Sequence, residues 1–365
     1  MYRILITILL TSSLFGKDFI AAFDVKQIML YPKEEAKLTR RLTTKLIYLD
    51  KYQMVEKNNK PKILKEKSSN RYLDINEFTY AGHRKYTING GTPLRKTDID
   101  FKSGITTLSI LAIGQHMMNK YVLEPSWWYG VDIPFHFQED SNYSLYADRF
   151  GHAYSNYYLS TIISDGFMYA GLNWRDARLL GSLTSFLLFI QLEYKDGKAP
   201  DFGFSKMDIV ANTIGILYFW GQNNSPFLQN FTPKIMYHYS KIFTHSQAYP
   251  AALAENYNEI TYFLSVNIKN LLPNQYKKYW INGLEIAIGY GVRGYTLNKN
   301  DLHVGNNIPI HRRYYLGLDL NVLSILPEAN NPWWWLVQTI NHIKIPLPTI
   351  ESSGQNKKAF LAYPY

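Results

Sequence analysis

The sequence predicts an α+β protein: a four-helix domain followed by a C-terminal antiparallel β region of about four to six strands. Three observations carry this. Apolar residues recur with helical period between residues 104 and 225. After Pro226 the period falls to two, as in Leu284, Ile286 and Ile288 alternating with Glu285, Ala287 and Gly289. The composition, 46% hydrophobic and 19% charged, is that of a folded chain. A mean hydropathy of -0.23 argues against a densely spanning transporter.

Along the chain, Met1-Tyr2-Arg3 is a short positive segment and Ile4 to Phe15 an apolar run. Gly16 supplies a small residue ahead of charged Lys17 and Asp18. Residues 1–16 therefore read as a secretory signal peptide, too short to span a bilayer of ~30 Å. Residues 17–103 read as a basic, partly ordered spacer. Lys33 to Asp100 alone holds 16 basic and 9 acidic residues, seven of the ten net positive charges. Residues 104–225 form the helical domain. Its helices are expected at Ile105–Met118, Arg149–Leu172, Trp174–Tyr194 and Lys206–Gly221. Asn173 and Ser205 stand as N-caps, with Asp208 at the acidic position of a capping box. Residues 226–365 form an aromatic-rich antiparallel β region packed on the helices. Its strands are expected around Tyr262–Ile268, Leu284–Gly289, Tyr314–Asn321, Ile343–Leu347 and Phe360–Tyr365.

Cysteine is absent, which excludes disulfides, thiolate metal sites and a cysteine nucleophile. It also leaves no residue for lipid attachment, so the chain is not expected to be a lipoprotein itself. The 30 Tyr and 8 Trp fit an envelope protein with rings at a membrane–water interface, and equally plain packing. The charge of +10 lacks any nucleic-acid module and sits behind an export signal, so no nucleic-acid partner is expected. The envelope membrane or an anionic lipid fits better; protein partners are not readable. The expected location is the periplasm or outer membrane of a Gram-negative bacterium.

The chemistry-bearing residues gather on the helices. Asp148 and His152 are four apart and share a helix face, as do Asp208 and Asn212. Glu193 closes the apolar third helix. Charged groups in such a setting are costly unless they pair, and an Asp beside a His can orient the ring for a ligand or a base. Asp148, Arg149, His152, Glu193, Asp208 and Asn212 are thus the candidate binding cluster. Three readings stay open: a polar network that fixes helix register, a grip on an anionic lipid headgroup by Arg149 and His152, and a metal or hydrolytic centre on His152, Glu193 and Asp208. No hydrolase, nucleotide or dinucleotide motif is present, so no cofactor is expected and the balance leans away from an enzyme. His116, in the apolar first helix, reads as a core histidine.

Asp148-Arg149-Phe150-Gly151-His152, Glu193-Tyr194-Lys195-Asp196-Gly197 and Gly203-Phe204-Ser205 leading to Asp208, Asn212 and Gly215 together resemble the YfiM-like family of periplasmic (lipo)proteins of unknown function. That family's pattern is Asp-Lys-x-x-His, Glu-x-x-Asp-Gly and Gly-Phe-Ser-x-x-Asp-x-x-Ala-Asn-x-x-Gly. Phe135-His136-Phe137 and Glu139-Asp140 are similar to its longer, Bacteroidetes-type version. The same order is distantly similar to VanZ-like membrane proteins. The resemblance implies a site between helices and no established reaction. Two departures stand out: Arg149 replaces the usual Lys, and no Cys is available for the acyl anchor of a lipoprotein.

Overall fold

Four long helices form where the apolar period predicts them: α1 (Phe101–Met118), α2 (Ala147–Tyr169), α3 (Trp174–Asp196) and α4 (Lys206–Asn224). Asn173 and Ser205 cap α3 and α4, accepting from the amides of Asp176 and Asp208 at 3.0 and 3.1 Å. The computed structural model describes residues 71–73, 77, 79–80, 83–84, 87–128, 132–140, 143–238, 256–294, 310–354 and 356–363. All belong to one unit, Asn70–Tyr365. The expected signal peptide and residues 17–70 of the spacer lie outside them. Described residues of the remaining spacer join the helical unit: the amides of Asp98 and Asp100 donate to the carbonyls of Gly171 and Ala170 at the end of α2.

A six-stranded antiparallel meander follows: β1 (Phe231–Tyr237), β2 (Ile260–Val266), β3 (Leu284–Arg293), β4 (His311–Leu320), β5 (Thr349–Ser353) and β6 (Asn356–Phe360). The strands lie in chain order, each paired with its neighbours. Helix α5 (Pro332–Ile340) joins β4 to β5. Two expectations change. The segment Ile343–Leu347 supplies a single parallel bridge, Ile343 to Ile235 on the free edge of β1, and no strand. The last strand ends at Phe360, so Phe360–Tyr365 is not one. Tyr363 instead turns over the sheet and packs against Phe263, Tyr315 and Phe360.

Helix α2 is the centre of the molecule, packed along α3 and α4 and touching β1, β2 and β3. Phe150 stacks on Tyr290 and Tyr262, ring centroids 4.8 and 6.2 Å away. The helices approach closely because small residues line their contacts. A Cβ on Gly215 would lie 2.2 Å from the Ala153 carbonyl oxygen. Gly215→Ala is therefore expected to destabilise by about 1–3 kcal/mol through overpacking, although Ala is the better helix former by ~0.8–1.0 kcal/mol. Urea midpoints of the two proteins check it.

Beside its apolar core the fold buries many polar groups. The sides of α2, α3 and α4 that meet each other carry Asn156, Ser160, Ser185, Asn212 and Gln222, all buried. The buried face of the sheet carries Lys234, Ser265, Glu285 and Asp319. The half-buried strands were expected to alternate, and they do, with the apolar row outward. His116, expected in a core, is exposed on α1.

Candidate functional site

The N-terminus of α2 starts from an unusual turn. Ser144, Leu145 and Tyr146 all have positive φ, 44°, 51° and 74°. This left-handed region costs non-glycine residues energy and persists only where the surroundings enforce it. Here the Tyr290 hydroxyl donates to the Leu145 carbonyl, and the Asp148 amide donates to Ser144 Oγ at 3.1 Å. The turn delivers Asp148 and Arg149 to the first turn of α2, one helical turn before His152.

The six residues singled out from sequence converge. Arg149 is buried and pairs with three carboxylates. Nη1 contacts both Asp148 Oδ2 and Asp208 Oδ1, and Nη2 lies 2.6 Å from Asp140 Oδ2. His152 faces the same carboxylates: its Nε2 is 3.6 Å from Asp148 Oδ1 and 3.7 Å from Asp208 Oδ1. On its other side, Nδ1 is 3.2 Å from Asn212 Oδ1 and 3.7 Å from Glu193 Oε1. An amide oxygen only accepts, so the Asn212 contact places a proton on Nδ1 and turns Nε2 toward the two aspartates.

Asp140 and Tyr257 complete the cluster and were not foreseen. A short parallel pair, Phe137–Gln138 with Phe204–Ser205, brings the Asp140 loop to the start of α4. There Ser205 Oγ donates to Asp140 Oδ1 at 3.2 Å, and the Ser205 amide to Glu193 Oε2 at 3.3 Å. The Tyr257 hydroxyl, just ahead of β2, donates to Asp148 Oδ1 at 2.5 Å. Pairing across loops has no local signal. Only the Glu139-Asp140 dipeptide in the resemblance hinted at one of them.

The electrostatics are those of a site short of positive charge. Asp140, Asp148 and Asp208 face one guanidinium. Burial raises Asp208 to about 6, with His152 and Arg149 opposing and Asp148 adding to the rise. Burial, then the nearby Asp208 and Asp196, lifts Glu193 to about 10, so it keeps its proton at neutral pH. The carboxylates of Asp208, Asp148 and Asp140 more than offset the burial of Arg149 and raise it. Glu193 Oε1 and Asn212 Nδ2 are buried and have no hydrogen-bond partner. One atom each of Asp148, His152 and Asp208 lies within 4.8 Å of the others, a spacing that can hold a metal ion. Glu193, expected as a ligand, sits behind His152 on the Nδ1 side; Asp148 occupies the place beside Nε2. Arg149, expected to grip an anion, is spent on carboxylates.

No curated protein and no solved structure matches the chain. Residues 136–219, which hold all six candidate residues, match the family model described as Predicted periplasmic lipoprotein (DUF2279). The chain is thus an exported protein of the periplasm or outer membrane that is similar, over its helical core, to a family of unknown function.

Proposed function

We propose that this exported envelope protein binds a divalent metal ion between its helices, with Asp148, His152 and Asp208 as ligands. The observation that carries the reading is the orientation of His152. Its Nδ1 is engaged by Asn212 Oδ1 at 3.2 Å, and its Nε2 faces two aspartate oxygens at 3.6 and 3.7 Å. Metal-bound histidines are held in this way, the second nitrogen donating to an oxygen that fixes the ring. A divalent cation also balances the surplus of buried carboxylate, which an anionic headgroup would worsen. One imidazole and two carboxylates suit Zn²⁺ or Mn²⁺.

Elemental analysis of the purified protein, followed by titration of metal-stripped protein with Zn²⁺ and Mn²⁺, tests this. Stoichiometric metal is expected, with a rise in melting temperature on loading. His152→Ala and Asp208→Asn should abolish it, and Asn212→Ala should weaken affinity about 10–100-fold. Absence of metal with no shift on titration would sink the reading, and leave the cluster as a lock on helix register.

A second reading, a hydrolase of envelope lipids, is favoured by one observation. Glu193 places an unpartnered buried oxygen 3.7 Å from His152 Nδ1, where an acid–base group could act through the ring. It predicts lipid turnover lost in Glu193→Gln with metal still bound.

A further inference from the structure

The cluster does not use the outer surface, and that surface is unusual. Helix α4 is the clearest case. It buries Asp208, Asn212, Gly215 and Gln222 together with Ala211 and Phe219, while Val210, Ile214 and Leu217 are 49%, 56% and 64% exposed. Helix α3 repeats this with Ser182, Ser185 and Glu193 inward and Leu179 and Leu183 exposed. On the outer side of α1, Ile110 and Ile113 are exposed. A helix folded against a core in water shows the opposite arrangement.

The sheet shows the same inversion in its register. Leu264 pairs with Ile288, Ile288 with Leu316, and Leu316 with Ile350. These four apolar side chains form one continuous row across β2, β3, β4 and β5, and all are exposed. One residue along, Ser265, Ala287, Gly317 and Thr349 form the next row on the opposite face, around buried Lys234, Glu285 and Asp319. Because side chains alternate strictly, a slip of one residue would have buried the apolar row. The row shares its face with Tyr262 and Tyr290, which pack on Phe150 of α2; beyond that contact it is exposed, and the charges are buried on the other face.

We infer that the outer faces of α1, α3, α4 and of β2 to β5 rest against the acyl chains of a lipid bilayer. On α3, α4 and the sheet the outward side chains are apolar, while the covered sides hold charged and amide groups beside apolar ones such as Leu180, Phe219 and Phe263. A protein partner could cover one patch, but it would not explain why the covered sides hold charged and amide groups. A change of solvent explains both at once, because in hydrocarbon the polar groups must find their partners inside the protein. Small residues at the helix contacts agree with this, since helices in lipid associate by close packing and interhelical hydrogen bonds. No described helix is long and apolar enough to cross a membrane. The contact inferred here is that of the outward faces. It is independent of the metal reading.

The chain's lack of cysteine permits a direct test on the full-length protein. Single cysteines at Ile214, Ile288 and Leu316, with Gln275→Cys as a reference on the exposed short helix Asn274–Lys277, are spin-labelled. The protein is then reconstituted into phosphatidylethanolamine–phosphatidylglycerol vesicles. Circular dichroism confirms the fold, and relaxation by oxygen is compared with relaxation by an aqueous nickel chelate. The three apolar sites should be open to oxygen and shielded from nickel, and Gln275→Cys the reverse. Nickel access at Ile288 and Leu316 equal to that at the reference site would overturn the inference. So would shielding from both reagents in lipid-free protein, which would put a second copy or another protein on the surface.

Discussion

Arg149→Met is expected to destabilise the metal-stripped protein by about 3–5 kcal/mol, the cost of removing one partner from a buried ion cluster. The reason is what stays behind. Asp140, Asp148 and Asp208 converge on this one guanidinium, and without it three carboxylates face one another in a buried site. The cost should fall when a carboxylate is removed as well: Arg149→Met with Asp208→Asn should be more stable than Arg149→Met alone. Arg149→Lys should lose less than Met, because the charge survives, yet still lose. An ammonium has no planar fork to serve Asp148, Asp208 and Asp140 together. Urea midpoints in the presence of a chelator measure all of these. A near-neutral Arg149→Met would mean that the carboxylates are already protonated in the fold.

The helical part of this site was legible because its signals are local. Asp148 and His152, and Asp208 and Asn212, declare a shared face by a spacing of four. Ser205 and Asn173 mark helix starts by the chemistry of their side chains. Asp140 and Tyr257 were not legible, because they arrive through a two-residue parallel pairing and a loop before β2. Strand β1 was missed because Phe-Thr-Pro-Lys-Ile-Met-Tyr carries a proline and a lysine, both discouraging for a central strand. The structure gives Pro233 an edge strand, with only the Ile343 bridge on its outer side, and buries Lys234 among acids. The largest gap concerns sign. Alternation in Leu284–Gly289 shows which residues share a face, but not which face is covered. That depends on the surroundings, which no periodicity contains.

Lys234→Met is the sharpest test of that polar interior, and it is expected to cost about 3–5 kcal/mol. The lysine is fully buried in β1. Its ammonium lies 2.9 Å from Asp319 Oδ2, 3.2 Å from Glu285 Oε2 and 2.9 Å from the Leu320 carbonyl oxygen. Ser265 Oγ donates to the same Asp319 oxygen at 2.5 Å. The other cation, Lys344, is pulled down to about 8 by burial, so it is a weak replacement. Burial already raises Glu285 even with Lys234 beside it, and Asp319 adds to the rise. Removing Lys234 raises it further, which fixes the pH dependence. A carboxyl whose folded pKa lies above its unfolded value of roughly 4.3 binds more protons in the fold. The variant should therefore regain stability as pH falls from neutral toward that value, over a range where the parent protein gains less. Lys234→Met combined with Glu285→Gln should recover part of the loss at neutral pH and flatten the pH response. Thermal unfolding followed by circular dichroism at neutral and mildly acidic pH measures both. If Lys234→Met melted like the parent at neutral pH, these charges would be reached by water, and the polar face of the sheet would be a wet channel in place of a packed interior.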